Sequence, residues 1–175
     1  MQNNLIRTLA RGMFRMYLIP LACLMAQFPL ITAAATQLQI GKTSNLVIAN
    51  DIFRKAASFN QPIGSWDMKK VQFLVRFLSD ATSFNQSLAA WRLDSLVILP
   101  GKPLSGAAAA LDHTAISRQN YDAMLIAWNA QNLKSPVSLG AAGLKFCAAA
   151  SARANILKSI ADGGHGWIIR TLYEA

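Results

Sequence analysis

The side chains that most often perform catalysis are few in this sequence and lie far apart. The histidines are His113 and His165, which are separated by 52 positions and belong to no metal-ligand spacing pattern. Cys147 is a lone cysteine in a mostly apolar stretch, a setting that does not favour a reactive thiolate. We therefore predict no catalytic residue, no metal site and no cofactor.

Two short segments are similar to functional loops but have simpler explanations. Asp112-His113 fits a turn or a helix cap, and the Gly-rich run 163–166 is not set between a strand and a helix as a phosphate-binding loop is. The run is better explained as the end of a helix. The sequence thus predicts a protein that is not an enzyme, with a secreted hydrolase of unrecognised site as the alternative.

Composition and charge indicate one folded domain without a nucleic-acid patch. The chain has 175 residues, of which 53% are apolar and 14% charged, and its net charge is +9. Three of the 17 Lys and Arg residues lie in the first 35 positions, and the remaining 14 exceed the 8 acidic residues by 6. These bases are scattered, so we expect a weak preference for anionic surfaces and no nucleic-acid partner.

The first 35 residues have the three parts of a secretory signal, with cleavage expected after residue 35. These parts are the basic Arg7, Arg11 and Arg15, the apolar run 18–30, and the small residues Ala33, Ala34 and Ala35.

Other interpretations of this segment stay open. The uncharged run 16–35 is long enough to be an uncleaved membrane anchor. Cys23 raises the possibility of a lipoprotein signal, although Pro20 stands where such a signal has Leu. A buried helix of a soluble protein is the remaining alternative. With the first three interpretations, the rest of the chain lies outside the cytoplasm. Contact with a membrane is expected only through this N-terminal segment, when it is retained as an anchor.

An internal repeat of 25 residues is the most specific feature of the sequence. Residues 56–66 read AASFNQPIGSW and residues 81–91 read ATSFNQSLAAW, so most positions recur. The recurring residues that we predict to form the scaffold are Phe59, Asn60, Gln61, Ile63 and Trp66, then Phe84, Asn85, Gln86, Leu88 and Trp91. A fixed period of this length indicates units that bury an apolar core by stacking.

We predict one short helix and one short strand in each repeat. Apolar residues at 71, 74, 75 and 78 have helical spacing, whereas 62–66 and 87–91 fit short extended segments. We expect Phe59 to stack on Phe84, and Trp66 to lie in register with Trp91. The Asn residues should satisfy backbone groups at turns. A partial third repeat is expected at Gly106.

The repeats resemble those of BspA-like leucine-rich-repeat surface proteins, whose repeat reads approximately MFxxAxxFNQxIxxWDxSxVxxM. The matching residues are Phe53, Ala56, Phe59, Asn60, Gln61, Ile63, Trp66, Asp67 and Val71 in the first repeat, and Ala81, Phe84, Asn85, Gln86, Leu88 and Trp91 in the second. Lys69, Arg92 and Leu96 depart from the pattern. The resemblance implies a bacterial secreted or surface protein with a leucine-rich-repeat fold.

The remainder of the chain is predicted to cap the repeats. We expect helices at 117–131 and 148–160, and extended pieces at 137–139, 144–146 and 166–169. Patterns around NYDxxLIxW, SLGAxGLxxC and GWxI resemble the region that follows the repeats in the same family. The cap residues singled out are Tyr121, Trp128, Cys147 and Trp167, with the lone cysteine expected to be buried.

Together these observations predict an α/β fold: a short solenoid of strand–helix units with a C-terminal α/β cap. The predicted divisions are a signal peptide at 1–35, the repeat solenoid at 36–105 and the capping region at 106–175. The expected function is non-catalytic adhesion or protein interaction, in a secreted or cell-surface location. The partner is an unidentified macromolecule, such as a matrix protein, a glycan or another surface protein.

Overall fold

The computed structural model describes residues 43–99, 105–131, 133 and 137–171. The segment 1–35, where we predict the signal peptide, lies outside the described residues. Within the described residues, the elements are a 3-10 turn at Thr43–Asn45, helix α1 at Arg118–Asn129, strand β1 at Ser138–Gly140, helix α2 at Ala150–Leu157 and strand β2 at Ile168–Arg170.

Successive stretches of the chain lie side by side and parallel, joined by backbone hydrogen bonds. We call these stretches rungs one to five; they are 47–55, 72–80, 105–113, 137–142 and 168–170. Rungs four and five contain β1 and β2, which pair in parallel with Leu139 opposite Ile169.

Rungs one and two are joined at every second residue. The N–H groups of Ala49, Asp51 and Phe53 donate to the carbonyl groups 24 positions later, at 2.9 Å each. The N–H of Lys55 donates in the same way at 2.7 Å. This constant offset places each residue beside the one that follows it by about one sequence repeat.

The same pattern continues into rungs three and four with a longer offset. Leu74, Arg76 and Leu78 donate to carbonyls 32 positions later, at 2.6, 2.9 and 2.8 Å. Rung three then bonds to rung four, for example from His113 N–H to the Ala142 carbonyl at 2.9 Å.

One tight turn recurs at the end of the first four rungs. In each case an N–H donates to the carbonyl three residues earlier; the donors are Ala56, Ala81, Thr114 and Leu144. The counterpart of Ala81 in rung three is therefore Thr114. The prediction of a third repeat beginning at Gly106 was wrong in register, because eight residues more than one repeat separate rung two from rung three.

Left-handed backbone conformations recur at matching positions of the rungs. Within the rungs, the non-glycine residues with positive φ are Asp51, Lys55, Arg76, Asp80, Ala109 and His113, with φ between 50° and 62°. These residues occupy two equivalent positions in rungs one to three, the first held by Asp51, Arg76 and Ala109 and the second by Lys55, Asp80 and His113. Gly143, with φ of 85°, follows rung four at the second position. Residues that carry a side chain rarely adopt a positive φ within a helix or a strand. Each of these residues therefore turns the chain and interrupts the extended conformation of its rung.

The helix that we predicted at 71–78 is absent, and the segments 62–66 and 87–91 contain no strand. The apolar residues at 71, 74, 75 and 78 are nevertheless buried. They point inward from tight turns, in which Phe77 N–H donates to Leu74 O at 3.2 Å, and not from a helix. Turns of three to four residues reproduce the apolar spacing of a helix, so the spacing alone was misleading.

The C-terminal elements agree better with the sequence. The predicted helices are present as α1 and α2, each shorter than predicted. Strand β1 is shifted by one residue from the expected piece at 137–139, and β2 begins two residues later and ends one residue later than the expected piece at 166–169. Ser117 caps α1, as its position predicts, by accepting from Asn120 N–H at 3.2 Å. One buried core runs through the rungs and both helices, from Ala49 to Ile169.

Candidate interaction surface

The phenylalanines of the repeat form a stack across the rungs. The Phe59 and Phe84 ring centroids lie 5.7 Å apart with planes 4° apart, as the repeat spacing predicts. Phe53 extends the stack, at 3.9 Å from Phe59. Phe84 is fully buried, whereas Phe59 is only partly buried.

The tryptophans of the repeat meet a shared neighbour, Phe77. The Trp66 and Trp91 rings lie edge-on to Phe77 at centroid distances of 6.2 and 5.5 Å. Sequence reasoning missed the role of Phe77, which matches Ile52 one repeat earlier and so did not stand out as a recurring residue.

A tryptophan of α1 takes the position that Trp91 has in the repeat. Trp91 Nε1–H donates to the Ile63 carbonyl at 2.9 Å, and Trp128 Nε1–H donates to the Leu88 carbonyl at 3.2 Å. Ile63 and Leu88 are equivalent buried repeat positions. Helix α1 therefore substitutes for a repeat segment; its different spacing from the repeats concealed this equivalence in the sequence.

Side-chain amides on the exposed side of the rungs form a continuous series of hydrogen bonds. Asn60 Oδ1 accepts from Asn85 N–H at 2.8 Å and from Gln86 Nε2 at 2.9 Å. One step further, Asn85 Oδ1 accepts from Ser117 N–H at 2.7 Å and from Asn120 Nδ2 at 3.0 Å. We call these five residues the amide strip. The Asn residues satisfy backbone N–H groups, as their turn positions predict.

Gln61 does not belong to the amide strip. Its side chain is partly buried, and within the described residues the structure gives it no hydrogen bond.

The cap residues Tyr121, Trp128 and Trp167 are buried, and the two Trp rings lie 6.3 Å apart. Burial raises the pKa of Tyr121 to about 12, and the Arg153 guanidinium offsets part of that rise. The Tyr121 hydroxyl has no hydrogen bond of good geometry among the described residues. We attribute the influence of Arg153 to its charge, because the contact lacks hydrogen-bond geometry.

Cys147 is exposed, so the prediction of a buried thiol was wrong. Its backbone N–H donates to Asp122 Oδ1 at 2.9 Å. The backbone of this turn therefore faces the buried carboxylate, and the thiol is left at the surface. Ala148 and Ala149 N–H also donate to Asp122, at 3.0 and 3.1 Å. The carboxylate thus caps the start of α2 from a neighbouring element.

Among the residues that the structure describes, histidine–carboxylate geometry is present once, at the surface. His113 Nδ1 lies 3.0 Å from Asp80 Oδ1, with both side chains more than a third exposed. The nearby Ser79 hydroxyl donates to Asp80, at 3.2 Å, and not to the histidine. A hydrolytic triad needs the hydroxyl to be activated by the imidazole, so this order of contacts does not build one. His165 instead contacts the Asn129 carbonyl at 3.1 Å.

Among the described residues, no cluster of three or more His, Cys, Asp or Glu side chains has the arrangement of a metal site. In the same part of the chain, the helices are too short and too polar to cross a membrane.

The described chain is thus a stack of parallel, turn-rich rungs with a helical C-terminal part. A family described as "Mycoplasma protein of unknown function, DUF285" matches residues 27–101, which include rungs one and two. The match stops before α1. No curated protein and no solved structure matches the chain.

Proposed function

We propose that the chain is a BspA-like leucine-rich-repeat surface protein that binds a macromolecular partner without catalysing a reaction. The observation that carries this proposal is the recurrence of the same contacts in successive rungs. Backbone hydrogen bonds join rungs one and two at an offset of 24 positions. In the segments that follow these rungs, the ring and amide contacts join residues 25 or 26 positions apart.

Such recurrence supports a short solenoid, although its rungs are turn-rich and contain no strand–helix unit at 47–99. A solenoid offers a long, rigid side on which each unit presents the same outward positions. Function in this architecture is expected from a surface, since each unit contacts only its neighbours. We interpret the C-terminal part as the cap of the stack, because α1 continues the contacts of the repeat while changing its secondary structure.

Exposed positions that differ between repeats would provide specificity. Pro62 and Ser87 occupy equivalent exposed positions, as do Lys69 and the partly exposed Asp94. Gly64 is different, because a Cβ there would come within 2.6 Å of the Ser87 carbonyl. The second repeat has Ala at the equivalent position. We attribute this difference to packing between the repeats and not to recognition of a partner.

The matched family is described only as of unknown function, so the surface role rests on the repeat pattern and on the N-terminal segment. We propose export through residues 1–35 as a signal peptide, with an uncleaved anchor as the alternative. N-terminal sequencing of exported protein tests this, because cleavage predicts a chain that begins at Thr36. A chain that still begins at Met1 would contradict the cleavage.

The binding function is tested by measuring adhesion of the exported chain to immobilised gelatin, heparin and neutral glycans, together with a hydrolase panel. We expect saturable binding to at least one surface and no turnover. Turnover that is abolished by His113→Ala would favour the secreted hydrolase instead. Absence of binding to every surface would contradict the proposed function.

A further inference from the structure

We propose that the amide strip is a binding site for a neutral polyhydroxylated ligand, such as an uncharged glycan chain. This proposal rests on the proposed binding function and names the chemistry of the partner. It follows from hydrogen-bonding groups that the strip leaves unused.

The orientation of each amide in the strip is fixed by its partner. The Asn85 backbone N–H requires an acceptor, so Asn60 must direct Oδ1 toward it and Nδ2 away from it. The same argument applies to Asn85, whose Oδ1 accepts from Ser117 N–H at 2.7 Å. Within the described residues, the Nδ2 groups of Asn60 and Asn85 have no acceptor.

The side-chain amides of Gln86 and Asn120, which donate to Asn60 and Asn85, are oriented in the opposite sense, with the N–H group toward the strip partner and the oxygen away from it. Gln86 Nε2 donates to both oxygen atoms of Asn60, so among the described residues its Oε1 is the unused atom. Asn120 Nδ2 likewise donates to both oxygens of Asn85, which leaves its Oδ1 unused. In the described part of the chain, the Asn60–Gln86 pair and the Asn85–Asn120 pair therefore repeat one motif, a free N–H donor beside a free carbonyl acceptor.

The two segments that carry Asn60, Asn85 and Gln86 are polar and uncharged. The segments 56–66 and 81–91 contain no charged residue. Ser58, Thr82 and Ser83 add exposed hydroxyl groups beside the amides. Arg118, at the start of α1, is the first charged residue at the end of the strip.

This chemistry favours a sugar over the other classes of partner. A sugar hydroxyl both donates and accepts, so it can satisfy each donor–acceptor pair without needing a charge. The segments 56–66 and 81–91 offer no cation to an acidic ligand. Along the strip, a protein partner would find no fully exposed aromatic anchor of the kind that dominates protein interfaces, since Phe84 is buried and Phe59 is partly buried.

The test is affinity electrophoresis of the full exported chain through gels that contain dextran, galactomannan or heparin. Wild-type protein should be retarded by at least one of the neutral polysaccharides. The retardation should persist at 1 M salt, where charges are screened beyond about 3 Å.

Asn85→Asp keeps an oxygen that accepts from Ser117 and removes only the outward donor, while it adds a charge. We expect it to weaken neutral-glycan binding by about tenfold or more. The matched control is Gln72→Glu, which makes the same chemical change at an exposed residue outside the strip and should leave binding unchanged.

A second variant keeps the test valid if Asn85→Asp fails to fold. Ser83→Arg adds a bulky side chain at an exposed position and leaves every strip hydrogen bond intact; Gln72→Arg is its control. Loss of binding in Ser83→Arg alone supports the proposal. Retardation by heparin only, or equal binding by Asn85→Asp, Ser83→Arg and their controls, would overturn the strip assignment. Binding to gelatin or heparin without any neutral glycan would leave the proposed function standing and remove this inference.

Discussion

Replacing Asp122 with alanine should destabilise the protein at the start of α2. Its carboxylate accepts hydrogen bonds from the N–H groups of Cys147, Ala148 and Ala149 at 2.9, 3.0 and 3.1 Å. Cys147 and Ala148 are exposed, so water can replace the lost acceptor there. Ala149 is fully buried, and its N–H would be left unpaired.

The expected loss follows from these contacts. One unpaired buried donor costs about 1–3 kcal/mol, and removing a negative charge from a helix N-terminus adds about 0.3–1 kcal/mol. We therefore expect Asp122→Ala to lower the free energy of unfolding by about 1–4 kcal/mol. Urea unfolding followed by tryptophan fluorescence measures this as a lower midpoint at unchanged slope.

The same carboxylate predicts a dependence on pH. Burial by itself would raise the pKa of Asp122, but the N–H groups of Cys147, Ala149 and Ala148, with the Arg118 charge, lower it below 3.8. A group whose pKa is lower in the folded state stabilises the protein above its unfolded pKa. This contribution is lost as the pH falls below 3.8 and through the folded-state pKa.

Asp122→Asn provides the matched control, since it keeps one acceptor and cannot titrate. Its stability deficit relative to wild type should shrink as the pH falls below 3.8. A cost below about 0.5 kcal/mol for the alanine variant, the range of ordinary surface substitutions, would refute this reasoning. An unchanged deficit at low pH would refute the titration.

Further predictions concern the stack and the cap. Phe84→Ala should cost about 3–5 kcal/mol in urea unfolding and Phe59→Ala distinctly less, because only the first ring is fully buried; equal costs would contradict the packing. Burial of Tyr121 as the neutral phenol predicts that its contribution to stability is lost as the pH rises from 10.0 to about 12, and Tyr121→Phe should remove that part of the pH dependence. Gly140→Ala should lower the free energy of unfolding by about 1–3 kcal/mol, since a Cβ there would overlap the Ala109 backbone; a neutral result would mean that rungs three and four are farther apart.

The sequence contained enough information to place equivalent residues of the first two repeats beside each other. Phe59 and Phe84 stack, and Asn60 and Asn85 bond, because a fixed period brings identical residues together in adjacent units. The internal structure of a repeat was harder to predict. Left-handed residues such as Arg76 create turns whose apolar spacing is similar to that of a helix, and nothing in the residue type indicates that conformation.

The amide strip was only half predicted. Turn roles for Asn60 and Asn85 follow from residue type, but the continuation to Ser117 and Asn120 lies 32 and 35 positions later. The longer connection between rungs two and three breaks the period, so no sequence comparison at a fixed spacing finds these partners. The exposure of Cys147 also depends on a contact that is remote in sequence, with Asp122.

Native-state hydrogen exchange tests the stacked-repeat account most directly. The N–H groups of Leu74, Arg76 and Leu78 bond to rung three, and those of Leu111 and His113 bond to rung four. We predict that both sets exchange slowly and with similar opening free energies, because a continuous stack opens as one cooperative unit. Rapid exchange of the rung-two amides while the rung-three amides stay protected would contradict a continuous stack.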